Sequence, residues 1–392
     1  MAVSTPILGN SIYYICHYDA SVEMGSIMSQ DLSRRKMVAA LGIGAVGAVA
    51  GCIGAPVNAE TPPPEDPNEE VVPELDPVRD VHVDRIAADP TDVPAPVNWD
   101  EPREHDVTLR TKELVAEVEP GVTFKYMTFE GQVPGPMIRV RRGDTVNLRF
   151  EVPADDNSDI HNVDFHAVYG PGGGAVDTTL VPGDDAAELS FRAEFPGLFT
   201  YHCAVPAMDH HVSSGMFGAI LVEPEAGLPA VDRELYLGQH ELYTKGDLGE
   251  KGHHAFDHGA MLAEDPTYVV FNGEHHGFTE DRLGPIGAEV GETVRVFFVN
   301  GGPNQSSSWH PIGNVWSRLY RDGDLVSPPA RYVETTPVAP GTATVGEMEL
   351  AVPGPIKIVD HALSRAGRRG ALAVVDVEGE PNPDVYDPGS DE

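Results

Sequence analysis

The sequence predicts an all-β protein made of two tandem Greek-key β-sandwich domains, on three observations. Short runs of valine, leucine, phenylalanine and tyrosine are broken by Gly/Pro/Asp clusters, as at Met137–Arg141, Thr145–Val152, Leu198–Tyr201 and Gly218–Val222. No long stretch carries a 3.6-residue apolar period, which favours strands over helices. A set of landmarks also occurs twice in the same order, the mark of an internal repeat.

Gly143-Asp144-Thr145-Val146 recurs as Gly291-Glu292-Thr293-Val294. Each copy leads into a strand and then reaches a histidine at nearly the same distance, His161 in one and His310 in the other. Each copy later has Pro-Gly before a strand that ends on histidine: Pro196-Gly197 before His202, and Pro353-Gly354 before His361. These landmarks place one domain at 106–225 and the other at 226–378, joined near Glu223 to Asp232. The copies differ where chemistry is at stake, because His202 is followed by Cys203 and His361 by Ala362. The first domain alone can supply a thiolate.

The flanks have a different character. Arg34-Arg35 precede a weakly apolar run that ends in small residues, the pattern of a twin-arginine export signal. That run is too short and glycine-rich for a membrane span. Val49-Ala50-Gly51-Cys52 resembles a lipobox, so residues 1–55 are expected to be an export signal with Cys52 as the lipidated first residue of the mature chain. Residues 1–27 fit no part of such a signal, and Met28 suits a true start. Residues 56–105 are rich in proline and acid and are expected to form a solvated tether; 379–392 share that composition. The expected location is the outer face of the cell membrane, with the lipid anchor as the sole membrane contact.

The chain has 62 acidic and 26 basic residues, a formal net charge of −36. Such an excess repels nucleic acid and anionic lipid, which sets both aside as partners. Concentrated salt would screen the self-repulsion over a few ångströms, so adaptation to high salt is expected.

Of three cysteines, Cys16 and Cys52 lie in or before the export segment, and Cys203 stands alone in the body. It cannot form an internal disulfide, and taken by itself it reads as a buried small hydrophobe. Its context says more. A blue-copper-type site needs two imidazoles, a thiolate and a weak axial thioether. The loop that opens on Cys203 supplies His211 and, five residues later, Met216; His210 and Met208 are weaker alternatives. The fourth ligand comes from an earlier strand, and His161 is the candidate.

A second metal site follows from strand geometry. Adjacent strand residues point to opposite faces, so His202 projects away from the site that Cys203 serves. His166, five residues beyond His161, also faces away from it, which pairs His166 with His202. A third imidazole is wanted, and His361, at the repeat position of His202, is the best remaining candidate. Cys203 and His202 share a peptide bond, a short covalent route between two metal sites. This suits an enzyme that takes electrons singly from outside.

These residues resemble copper-containing nitrite reductase. The matching segments are His161–His166, Tyr201–Ala204, His211 with Ser214–Met216, Ser308–Gly313 and Val359–His361, which span nearly the whole body. The resemblance implies cupredoxin domains with a type 1 copper on His161, Cys203, His211 and Met216. It implies a type 2 copper on His166 and His202, with His361 contributed by a neighbouring subunit of a homotrimer. Two coppers per chain follow. Asp164 and His310 match the family's catalytic residues, and Ile312 matches an apolar residue that shapes the nitrite pocket. The implied reaction is the one-electron reduction of nitrite to nitric oxide in denitrification, fed by a small cupredoxin-like donor.

Some features depart from the family. The loop from Cys203 to His211 is one residue shorter than in the best-known members, His210 stands where an aromatic is expected, and Asn314-Val315 follow Gly313 in place of Gly-His. The histidines of Gly252–His258 and His275-His276 are expected to be solvated loops, and His82 and His105 carry no signal. Two rivals remain. A multicopper oxidase needs His-x-His pairs, and none occurs in the chain. A non-catalytic electron carrier leaves His166, His361, Asp164 and His310 without work.

Overall fold

The computed structural model describes residues 75–389, so the export signal and Cys52 lie outside it. A five-stranded sheet runs in the order Gly252–His254, Val122–Phe129, Glu104–Glu119, Thr145–Glu151, Ala187–Arg192. A four-stranded sheet follows, with Ile138–Arg141, Phe217–Glu223, Gly197–His202 and Asp164–Phe165. The second half contributes a six-stranded sheet centred on Arg233–Leu242, Thr293–Gly302 and Thr342–Glu349, and a five-stranded sheet centred on Leu372–Glu378, Gly354–Asp360 and Ser307–Ile312. The protein is all-β, as its short, turn-bounded apolar runs predict.

Three apolar cores lie between these four sheets. The interior strands therefore lose the polar/apolar alternation of a half-solvated strand. In Phe217–Glu223, Phe217, Ala219 and Leu221 pack with Tyr236, Phe297 and Val345. Ile220 and Val222 from the same strand face Val140, Phe150 and Tyr201. Thr293–Gly302 behaves likewise: Phe297 and Val299 turn one way, Val296 and Phe298 the other. Each such Val, Leu, Ile or Phe side chain contributes about 1.5–3 kcal/mol of apolar burial, so the contact between the two halves is as much a core as the sandwiches themselves.

The repeated landmarks occupy matching places. Gly143 and Gly291 both take positive φ, 92° and 98°, at the turns that open Thr145–Glu151 and Thr293–Gly302. His202 closes the strand begun at Gly197, and His361 directly follows the one begun at Gly354.

Some expectations are corrected. The tether does not stay in solvent up to residue 105. Ile86 is fully buried, Ala87 bridges to Val133, and the Glu274 carboxylate accepts the amides of Ile86 and Ala87 at 3.2 and 3.4 Å. The Arg139 guanidinium donates to the Pro94 carbonyl at 2.8 Å. One short apolar run with backbone partners is enough to dock a segment whose composition otherwise reads as solvated. Likewise, His253 and His254 are not on a solvated loop. They are buried on a strand that pairs in parallel with Val122–Phe124. Residues 379–389 carry no strand and are mostly exposed.

Candidate metal centres

Cys203 leaves the end of the strand Gly197–His202 and is fully buried in the core of the first sandwich, with Met216. The chain then turns through Ala207 (φ 64°) into a short helix, Met208–Ser213, that carries His211 inward. The loop closes on itself: the Cys203 amide donates to the Met216 carbonyl and the Met216 amide to the His211 carbonyl, both at 3.1 Å. Gly215 makes that closure fit. It has φ 114°, and a Cβ there would meet Val133 Cγ2 at 2.6 Å.

Two imidazole nitrogens face the Cys203 sulfur, His211 Nδ1 at 3.6 Å and His161 Nδ1 at 4.0 Å. Burial raises the Cys203 thiol above its ordinary range. Burial, then the neighbouring His161 and His210, pushes His211 down to about 3. A buried thiol facing two imidazole nitrogens is a set of soft and borderline donors that would hold a metal. His210 instead packs against Phe256, with ring centroids 4.0 Å apart and the rings tilted by 39°.

Two residues that the sequence did not single out complete this centre. Glu113 accepts from His161 Nε2 at 3.2 Å, fixing the ring so that Nδ1 faces the sulfur. Burial would raise the Glu113 carboxyl, but hydrogen bonds from His161, Lys125 and Ser158 outweigh it and hold the group well below the usual carboxylate range. Asn162 Oδ1 accepts the Ala204 amide at 2.6 Å and lies 3.7 Å from the Cys203 sulfur. Its position beside His161 was the available signal; Glu113, in an unremarkable strand, offered none.

The second cluster lies behind the first. His202 Nδ1 donates to its neighbour's carbonyl, Cys203 O, at 2.9 Å, which leaves Nε2 as a lone pair. That atom is 3.0 Å from His166 Nε2, with the rings at 87°. His166 keeps an exposed edge, but the protein packed around its ring, then His202, lowers it below its ordinary value, while Asp164 opposes. Two converging imidazole nitrogens in one small space are donors that would hold a metal. Asp164 joins them because it pairs directly with His202 across the strands. The glycine run at 170–174 wraps this carboxylate: a Cβ on Gly173 (φ 57°) would lie 1.9 Å from Asp164 Oδ1.

His361 does not reach this pair within one chain. Among the described residues, the groups that converge are His161/Cys203/His211 and Asp164/His166/His202. His361 instead stands beside His310, with ring centroids 5.2 Å apart at 80°. His310 Nδ1 donates to the Glu334 carbonyl at 2.6 Å. Ile312 lies two residues along the same strand, hence on the same side, and is 38% exposed. His310, Ile312 and His361 thus form a group separate from Asp164, His166 and His202.

Comparison with known proteins agrees with this geometry. A family model described as multicopper oxidase matches residues 111–227. A copper-containing nitrite reductase of Neisseria meningitidis is 42% identical over 305 residues, 77% of each chain. One from Pseudomonas chlororaphis is 35% identical over 71% of this chain and 79% of its own. The solved copper nitrite reductase of Nitrosomonas europaea superposes with a TM-score of 0.63 at 33% identity, covering 71% of this chain and 96% of that one. The chain belongs to the copper-containing nitrite reductase family.

Proposed function

We propose that this protein reduces nitrite to nitric oxide, consuming one electron and two protons and releasing water. The observation that carries the proposal is the pair of donor clusters on either side of one peptide bond, with Cys203 serving one and His202 the other. Copper is the cofactor, and when bound it supplies one-electron redox chemistry at the thiolate set and a Lewis-acid site for the anion at the imidazoles. His161, Cys203, His211 and Met216 would hold a type 1 ion. His166 and His202 would hold a type 2 ion, completed by His361 from a neighbouring subunit of a homotrimer, for two coppers per chain.

The protein's own groups account for the rest. The His202–Cys203 backbone is the shortest covalent route between the clusters. Asp164 stands beside the imidazole pair, and His310 beside His361, so bringing the two groups together across subunits would set a carboxyl and an imidazole near the bound anion. Both can deliver protons to the departing oxygen. Ile312 would close the apolar side of that pocket. The electron donor would be a small cupredoxin-like protein, and the enzyme would work in high salt on the outer face of the membrane, anchored through Cys52. The charge of −36, Arg34-Arg35 and Val49–Cys52 support that placement.

The family model's multicopper oxidase description raises a second reading, dioxygen reduction, but the chain has no His-x-His pair from which to build a trinuclear cluster. Copper content and nitric oxide formation separate the readings. Two coppers per chain and nitric oxide from nitrite with a reduced donor in high salt are expected. One copper without nitric oxide would leave a carrier, and dioxygen consumption without nitric oxide an oxidase.

A further inference from the structure

Asp360, directly before His361, is fully buried and accepts four hydrogen bonds. Oδ1 takes the backbone amides of Ser308 at 3.0 Å and Ala362 at 3.1 Å. Oδ2 takes Gln239 Nε2 at 3.2 Å and Arg365 Nη1 at 2.9 Å. A carboxylate has about four lone-pair sites, and all four are filled here. Burying a charge is costly unless it is paired and hydrogen-bonded, so a side chain this fully engaged has a structural task at this position.

Its partners define the task. Ala362 follows His361, and Ser308 lies two residues before His310 on the paired strand. The His361 amide also donates to the Ser308 carbonyl at 2.7 Å. Arg365 ties the short helix Leu363–Gly367 back to the same place, donating to the Ser306 carbonyl at 2.7 Å as well as to Asp360. His276 and His275, expected to lie in a solvated loop, donate instead to the carbonyls of Ala366 and Arg368 at 2.8 Å, pinning the far end of that helix.

We infer that Asp360 is a positioning residue that fixes His361 and His310 as one rigid unit, so that both histidines reach the neighbouring subunit's Asp164 region in a set geometry. This rests on the proposed function, in which His361 completes the imidazole site. An Asn at 360 that kept Oδ1 on the two backbone amides would aim its NH2 group at Gln239 Nε2 and Arg365, donor against donor. Groups that orient metal-ligating histidines typically cost about 10- to 100-fold in metal affinity when replaced.

The test uses the copper-loaded full chain and compares wild type with Asp360→Asn and Arg365→Met. Copper per chain is counted during chelator competition, and the type 2 signal is followed by electron paramagnetic resonance. The copper–thiolate visible band is the internal reference for folding. Both variants are expected to keep that band. They should hold type 2 copper more weakly, by about 10- to 100-fold for Asp360→Asn and less for Arg365→Met, with altered type 2 hyperfine splitting. If Asp360→Asn does not fold, Arg365→Met, whose side chain is partly exposed, carries the test. Wild-type affinity and splitting in the folded variants would overturn the role of Asp360 alone. A wild type that holds one copper per chain would overturn the proposed function and this inference with it.

Discussion

Replacing Glu113 by Gln is expected to weaken copper binding at the thiolate centre while leaving the fold intact. The Glu113 side chain is 3% exposed, and its Oε1 accepts from His161 Nε2 and from the amides of Ser158 and Asp159 at 3.2, 2.9 and 2.8 Å. Glutamine keeps that oxygen but loses the charge that makes His161 Nδ1 a stronger donor and that pairs with Lys125. Lys125 is 42% exposed, so its ion pair contributes little after screening. The charged hydrogen bond to His161 is the larger part. It is expected to be worth about 1.4–2.8 kcal/mol, or about 10- to 100-fold in copper affinity at about 1.4 kcal/mol per decade. Chelator competition followed through the copper–thiolate band measures this. The apoprotein gives a second readout. The folded Glu113 carboxyl is depressed, so its contribution to stability is full above the unfolded carboxylate range and is lost as pH falls toward the folded value. Glu113→Gln should flatten that acid limb. Unchanged copper affinity and an unchanged acid limb would refute the orienting role.

Two further outcomes follow from close packing and from a buried histidine. Gly173→Ala drives a Cβ into Asp164 Oδ1 and should cut nitric oxide formation by about 10²-fold or more, comparable to Asp164→Asn, with the thiolate band preserved; a fully active Gly173→Ala would show that Asp164 is not needed in place. His240 is fully buried, donates from Nδ1 to the Ser213 carbonyl at 2.9 Å, and is pushed down by burial to about 4. The unfolded chain takes up this proton first, so about 3 kcal/mol of stability should be lost as pH falls from 6.5 to 4. His240→Asn should remove most of that slope in denaturant titrations.

The parts of the molecule that were legible in the sequence are those whose signals are local. Cys203, His211 and Met216 share one loop, and the alternation of strand faces separates His202 from Cys203. The duplicated Gly-(Asp/Glu)-Thr-Val turn and the Pro-Gly strands make the repeat visible in the sequence. What stayed hidden depends on distant pairing. Glu113 meets His161 across 48 positions. His253 is buried because its strand lies against Val122–Phe124, and its ring meets Thr123 across 130 positions. Asp360 gave no sign because two of its partners are backbone amides, which carry no residue signature. Residues 82–97 misled through composition: their prolines and acids outweighed the few apolar residues that dock on the body.

In the proposed reaction His202 links the two centres. Rapid mixing of the fully reduced, copper-loaded protein with nitrite under anaerobic conditions tests it, with return of the copper–thiolate band as the readout. In wild type the band should return as nitric oxide forms. In His202→Asn the band should be present in the oxidised protein yet fail to return after reduction and mixing. Return at the wild-type rate in that variant would contradict the account.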